Sequence, residues 1–145
     1  MPFKNIELTP AGFTETQRNT RYHLYKGFST VDQNNTNNKL YDFDLIKQNI
    51  INHFNTKKGE RVMNPDFGTI IWDLIMEPMT HEVRTLLSND ITTICNLDPR
   101  VSTQQITVNE YDQGYLVEIT LLMKSTDETS TMRLAFDQQL GLRIQ

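Results

Sequence analysis

The last third of the chain alternates apolar and polar residues with a period of two, and this leaves few folds open. Tyr115, Val117, Ile119, Leu121 and Met123 fall on one face of an extended segment. Met132, Leu134 and Phe136 do the same further on, and Ile106 and Val108 mark a shorter run before them. Successive side chains of a strand point to opposite faces, so each run describes a strand with one buried side. Asp112-Gln113-Gly114 joins the first two runs and Lys124 to Glu128 the next two, with Gly114 expected at a positive φ in the first turn. Short joins between such strands predict a three-stranded antiparallel meander. Ser130 to Ile144 is its expected edge, with Gln138-Gln139 and Gly141 limiting the regular strand.

The middle of the chain changes period. Leu45, Ile46, Ile50, His53 and Phe54 recur at spacings of three and four and share a helix face. Asp42 or Asp44 is placed to accept from free N–H groups at its start. Gly59 is expected to end it, with Lys57 and Lys58 in the last turn. Ile70 to Met76, with Trp72, suggests one or two helical turns stopped by Pro78. Thr80 fits as the N-cap of a further helix, with Glu82 in its first turn. Its stripe is Val83, Leu86, Leu87, Asp90, Ile91 and Ile94, Asp90 being the one polar member, and Asp98-Pro99-Arg100 closes it. Central helices packed on a C-terminal meander give an α+β fold. A short strand between Leu24 and Val31 is a possible addition, followed by an Asn-rich loop over 32–38. Residues 1–23 carry few apolar side chains and are assigned to an N-terminal arm, leaving 24–145 as a single domain.

Composition narrows the function classes. The net charge of -4 argues against a protein built to hold phosphate backbones. No window approaches the roughly 18 apolar residues of a membrane span, and Met1 to Asn5 lacks the apolar core of a signal peptide. The single cysteine, Cys95, permits no internal disulfide and suits a reducing compartment. Near the C-terminal end of a helix stripe, Cys95 reads as a small hydrophobe, not an activated thiolate. His23, His53 and His81 lack metal-ligand spacing, and no phosphate-cradling glycine loop is present. Neither a cofactor nor a metal is expected. Glu60, Asp66, Asp73 and Glu77 could be cast as a glycosidase pair, but 18 acidic residues guarantee some such grouping. Asp98-Pro99-Arg100 has three readings on chemistry alone. It is a helix stop with a surface charge, a local ion pair, or an Arg held rigidly for a partner's carboxylate or backbone.

The stretch Gly59-Glu60-Arg61-Val62-Met63-Asn64-Pro65-Asp66-Phe67-Gly68, preceded by Thr56-Lys57-Lys58, resembles a known family. It is similar to the gene-25-like baseplate wedge proteins of contractile-tailed phages, also called sheath initiators, which include the type VI secretion baseplate counterpart. Asp98-Pro99-Arg100 matches the family's Glu-Pro-Arg element with Asp in place of Glu, one methylene shorter. The resemblance spans about residues 40–136. It implies a structural, non-enzymatic component of the tail baseplate of a virion, assembled in the host cytoplasm. Its expected partners are the helical core bundle of other wedge proteins and the first ring of sheath subunits, with no nucleic acid or membrane. In that role Arg100 is the expected main docking cation, held by Asp98 on a backbone fixed by Pro99. Glu60 and Arg61 brace the loop or support the same surface. Residues 129–144 supply strand pairing to sheath, and the arm wraps a neighbouring wedge protein. Within the assembly class a type VI secretion baseplate component stays open as the alternative, and two other classes do as well: a regulatory binder of the same fold, and a cell-wall hydrolase.

Overall fold

The computed structural model describes residues 23–29 and 39–145. Residues 1–22 of the 1–23 arm, the end of the expected strand at 30–31 and the Asn-rich loop over 32–38 lie outside the described residues. In chain order the elements are β1 (Lys26–Phe28), β2 (Lys39–Tyr41), α1 (Asp42–Asn55), α2 (Ile71–Leu74) and α3 (His81–Asn96). β3 (Val101–Tyr111), β4 (Gly114–Met123), β5 (Glu128–Asp137) and β6 (Gly141–Ile144) complete the chain. The fold is α+β, as the change of period predicts.

The C-terminal sheet is antiparallel in the order β3-β4-β5-β6, so it has four strands and not three. The extra strand follows a tight turn at Gln138-Gln139, where Gln139 and Leu140 donate their N–H groups to Asp137 Oδ1 at 2.8 and 3.1 Å. The polar dipeptide that marks the end of the pattern is thus the turn into β6. The expected edge segment, Ser130 to Ile144, therefore holds most of β5 and all of β6. β6 covers β5 from Leu134 to Asp137, and only Glu128 to Arg133 of β5 keeps a side without a strand among the described residues. The N-terminal strand does not join this sheet; β1 pairs with β2 in a separate two-stranded ribbon.

The inward faces follow the alternation. Tyr115, Val117, Ile119, Leu121 and Met123 of β4 and Met132, Leu134 and Phe136 of β5 are all buried. β3 needs a correction of parity: a bulge between Thr103 and Gln105 lets Val101 and Val108 both face the core. Gly114 has the positive φ expected of it, 159°. Glycine is required there because a Cβ would lie 1.8 Å from the Phe136 carbonyl oxygen.

Helices α1 and α3 cover this face, α3 lying against β3 and α1 reaching β6. Thr80 Oγ1 accepts the Val83 N–H at 3.2 Å, the N-cap read from the sequence. At α1 neither aspartate caps the helix. Asp42 Oδ1 accepts instead from the Leu24 and Tyr25 N–H groups at 2.9 and 3.0 Å and ties the start of the ribbon to the helix. α1 also stops at Asn55, so Lys57 and Lys58 lie beyond it. They are used in the next connection, where Lys57 bridges Thr69 in parallel.

Tyr115 is 2 % exposed, and its hydroxyl donates toward the Leu74 and Glu77 carbonyls at 2.7 and 2.9 Å. It therefore fastens the turn after α2 to the sheet. Tyr115→Phe keeps the ring and strands both acceptors, with an expected loss of about 1–2 kcal/mol in urea unfolding. An unchanged midpoint would show that water serves these carbonyls equally well.

Candidate functional site

Asp98-Pro99-Arg100 forms the turn between α3 and β3, and its two charged side chains close on each other. Arg100 Nε donates to Asp98 Oδ1 at 2.8 Å, and Nη2 donates to Oδ2 at 2.6 Å. The Arg100 backbone N–H adds a third bond to Oδ1 at 3.0 Å. This bidentate fork holds the Asp98 carboxyl below the usual carboxylate range and raises the Arg100 guanidinium above its own ordinary value. The Tyr25 ring lies 5.1 Å from the guanidinium carbon. Of the three readings of the tripeptide, the local pair is thus present, while Pro99 stands exposed at the turn.

The Gly59–Gly68 stretch forms a closed loop. Gly59 N–H donates to the Pro65 carbonyl at 2.8 Å, and Thr69 N–H to the Thr56 carbonyl at 3.0 Å. Glu60 Oε2 accepts the Lys57 N–H at 3.0 Å, so its carboxylate braces the loop from within. Arg61 lays its guanidinium 3.8 Å from the Phe67 ring centroid. On the inner side Gly68 N–H donates to His53 Nε2 at 3.1 Å, and the His53 and Phe67 rings sit 3.9 Å apart.

Loop and tripeptide meet at one groove of about 380 Å³. Asn49, Ile50 and His53 of α1 form one wall, and Ile94 with Leu97 of the α3 end the other. Phe67 closes it on the loop side, and Asp98, Pro99 and Arg100 on the turn side. Asp98, Pro99 and Arg100 thus line the groove; Arg61 reaches it through Phe67, and Glu60 is not among its lining residues.

Sequence reasoning missed three supports. Asp90 Oδ2 accepts from Thr69 Oγ1 at 2.7 Å and from the Ile70 N–H at 3.1 Å, pinning the end of the loop to α3. Its signal was the polar break in the α3 stripe. His53 carried the signal of a histidine on an apolar face. Tyr25 lies far away in sequence and carried none.

His53 is buried, and an N–H donated into Nε2 requires that nitrogen unprotonated. Burial foremost, with Arg61 and Lys58 nearby, pulls its pKa below 6.5, against the opposing pull of Asp90. The unfolded chain therefore binds the proton more readily. The resulting stabilisation is complete above pH 6.5 and is lost as pH falls through the folded value. Urea midpoints should decline on acidification in this window, and His53→Gln, whose amide oxygen can accept from Gly68, should flatten that part of the slope. An identical slope in the variant would assign the effect to other groups.

Other reactive candidates are occupied or buried. Burial pushes the Cys95 thiol up to about 12. Asp73 pairs with Lys57. Among the described residues no three His, Cys, Asp or Glu side chains are grouped to hold a metal.

The sheet edge is the second notable feature. Asp137, 1 % exposed, holds the β5–β6 turn, and its Oδ2 also accepts from Arg143 Nη2 at 3.2 Å. The N–H groups of Gln139 foremost, and of Leu140, keep its pKa low. Beside the uncovered part of β5, Thr131, Met132 and Ile144 border a trough of about 650 Å³, with β2 and α1 on its far side.

Residues 42–134 match the family model described as baseplate wedge protein gp25. A crystal structure from Geobacter sulfurreducens, described as a candidate tail lysozyme, is 26% identical with a TM-score of 0.57. That match covers 65% of this chain and 88% of the other. No curated protein is similar enough to serve as a relative. With both helices of the groove and the strands through Leu134 inside the matched span, the chain belongs to the baseplate wedge protein gp25 family, a structural component of the phage tail baseplate.

Proposed function

We propose that the chain joins the baseplate wedge to the tail sheath as a non-enzymatic assembly protein. The observation that carries this reading is the convergence of Asp98-Pro99-Arg100 and the Gly59–Gly68 loop on one apolar groove between two helices. A groove of that kind accepts the apolar face of a helix, which suits a helical core bundle of other wedge subunits. Asp98, Pro99, Arg100 and Arg61, with Glu60 behind them, form the docking face. The sheet edge at β5 and β6 supports the second half of the reading, because uncovered strand backbone is a template for another chain's strand. Groove and trough share no lining residue. Of the four carboxylates that a hydrolase would draw on, Glu60 accepts the Lys57 N–H and Asp73 pairs with the Lys57 ammonium.

The test is electron microscopy of particles after deletion of the gene, with the wild-type chain restored as control. Tails without attached baseplate or sheath, rescued by the wild-type chain, are expected. Intact sheathed tails in the deletion would reject the assembly role. Purified chain should not clear a peptidoglycan suspension; clearing would overturn its non-enzymatic part.

A further inference from the structure

We infer that the cation this face offers to a partner is Arg61, and that Arg100 is a positioning residue. The inference rests on the wedge-docking reading above and specifies its chemistry. The partner is an amphipathic helix of another wedge protein, with an apolar stripe for the groove and a carboxylate at the Phe67 lip.

The argument starts from what each guanidinium has left to give. Arg100 spends Nε, one Nη2 hydrogen and its backbone N–H on Asp98, and its side chain is only 23% exposed. A partner carboxylate taking over that fork would leave Asp98, 13% exposed, without its counter-charge. Removing one partner of such a pair is strongly unfavourable. The closed pair is neutral, and His53 is held neutral by the Gly68 N–H. The groove therefore presents no net charge from these groups, which matches an apolar stripe and repels none.

Arg61 differs in every respect. It is exposed and has no carboxylate partner among the described residues. Its plane is held by the Phe67 ring, and stacking on a ring leaves the guanidinium N–H edges free for a carboxylate. Next to it Val62 and Met63 are 94% and 96% exposed, and across the groove Leu97 is 64% exposed. A cation flanked by apolar side chains at the lip of an uncharged groove is complementary to an acidic residue beside an apolar helix face.

The test uses full-length variants binding to wedge complexes isolated from the deletion strain, at low and high salt, together with thermal melting of each variant. Arg61→Gln should melt like the wild type, bind roughly fivefold more weakly at low salt and lose most of its salt dependence. Arg100→Lys keeps the charge but cannot form the fork. It should melt at a lower temperature and bind more weakly while keeping the wild-type salt dependence. Arg100→Lys melting and binding like the wild type, or Arg61→Gln binding with unchanged affinity and salt response, would overturn the assignment. Leu97→Asp separates this from the wider reading. If it too binds like the wild type, the groove is not the docking face; if it alone abolishes binding, docking stands and the role of Arg61 falls.

Discussion

Phe136→Ala is expected to destabilise the chain by about 4 kcal/mol. Phe136 is fully buried on β5 and meets two helical elements at once. Its ring stands edge-on to Phe54 of α1, with centroids 5.8 Å apart, and to Trp72 of α2 at 5.5 Å. Trp72 is itself fixed, its Nε1 donating to the Phe54 carbonyl at 2.8 Å. Truncation therefore removes the ring's burial and both edge-on contacts, and the cavity cannot collapse while Trp72 is tethered. Against a typical total of about 5–15 kcal/mol, this leaves the variant marginal. Urea unfolding should show a large drop in midpoint with the slope unchanged. Leu140→Ala, at a side chain 63% exposed, should move it by less than about 0.5 kcal/mol. A Phe136→Ala cost near 1 kcal/mol would show that the helices rest on the sheet without depending on this junction.

The contrast between those two positions also shows what a sequence can reveal. The inward faces of β4 and β5 are legible because a half-buried strand repeats every second residue, and ten-residue strands repeat it several times. β6 has four residues and follows Gln138-Gln139, so the pattern ends before the strand declares itself. The bulge in β3 was hidden for a related reason: a shift of parity looks like a break in alternation. At α1, Lys57 and Lys58 satisfy the rules for a last helical turn, but the Lys58 N–H is taken by the Thr69 carbonyl from beyond the loop and the Lys57 N–H by Glu60 within it. Local signals lost there to a pairing across the loop.

The site divides along the same line. Asp98 and Arg100 are two residues apart, and their pairing was among the readings open from the sequence. The stack of Arg61 on Phe67, the bond from Gly68 to His53 and the grip of Asp90 on Thr69 depend on how the loop folds back. No periodicity announces them. The family resemblance singled out Glu60 and Arg61 as a pair, whereas the geometry separates them, Glu60 on the Lys57 N–H inside the loop and Arg61 over the Phe67 ring.

Gly68→Ala should cost about 3 kcal/mol and disturb the groove with the fold largely retained. Two independent penalties act at this residue. Its φ of 123° lies where L side chains are rarely found. A Cβ would also stand 2.7 Å from the Lys57 carbonyl carbon and the Thr56 oxygen, and 2.8 Å from the Lys57 oxygen. These are backbone atoms, and relief requires parting the strand-like contact in which Thr69 N–H bonds Thr56 and Lys58 N–H bonds Thr69. Gly59 provides the control, because its φ is 87° but nothing lies within 4 Å of its Cβ position. Gly59→Ala should therefore show the conformational penalty alone, about 1 kcal/mol. The difference between the two variants in urea unfolding measures the steric share. Equal costs would reject close packing at Gly68 as the reason for glycine. A retreat of Gly68 also withdraws the N–H from His53 and shifts Phe67, the seat of Arg61. Gly68→Ala should accordingly weaken binding to isolated wedge complexes, while Gly59→Ala leaves it near the wild-type value.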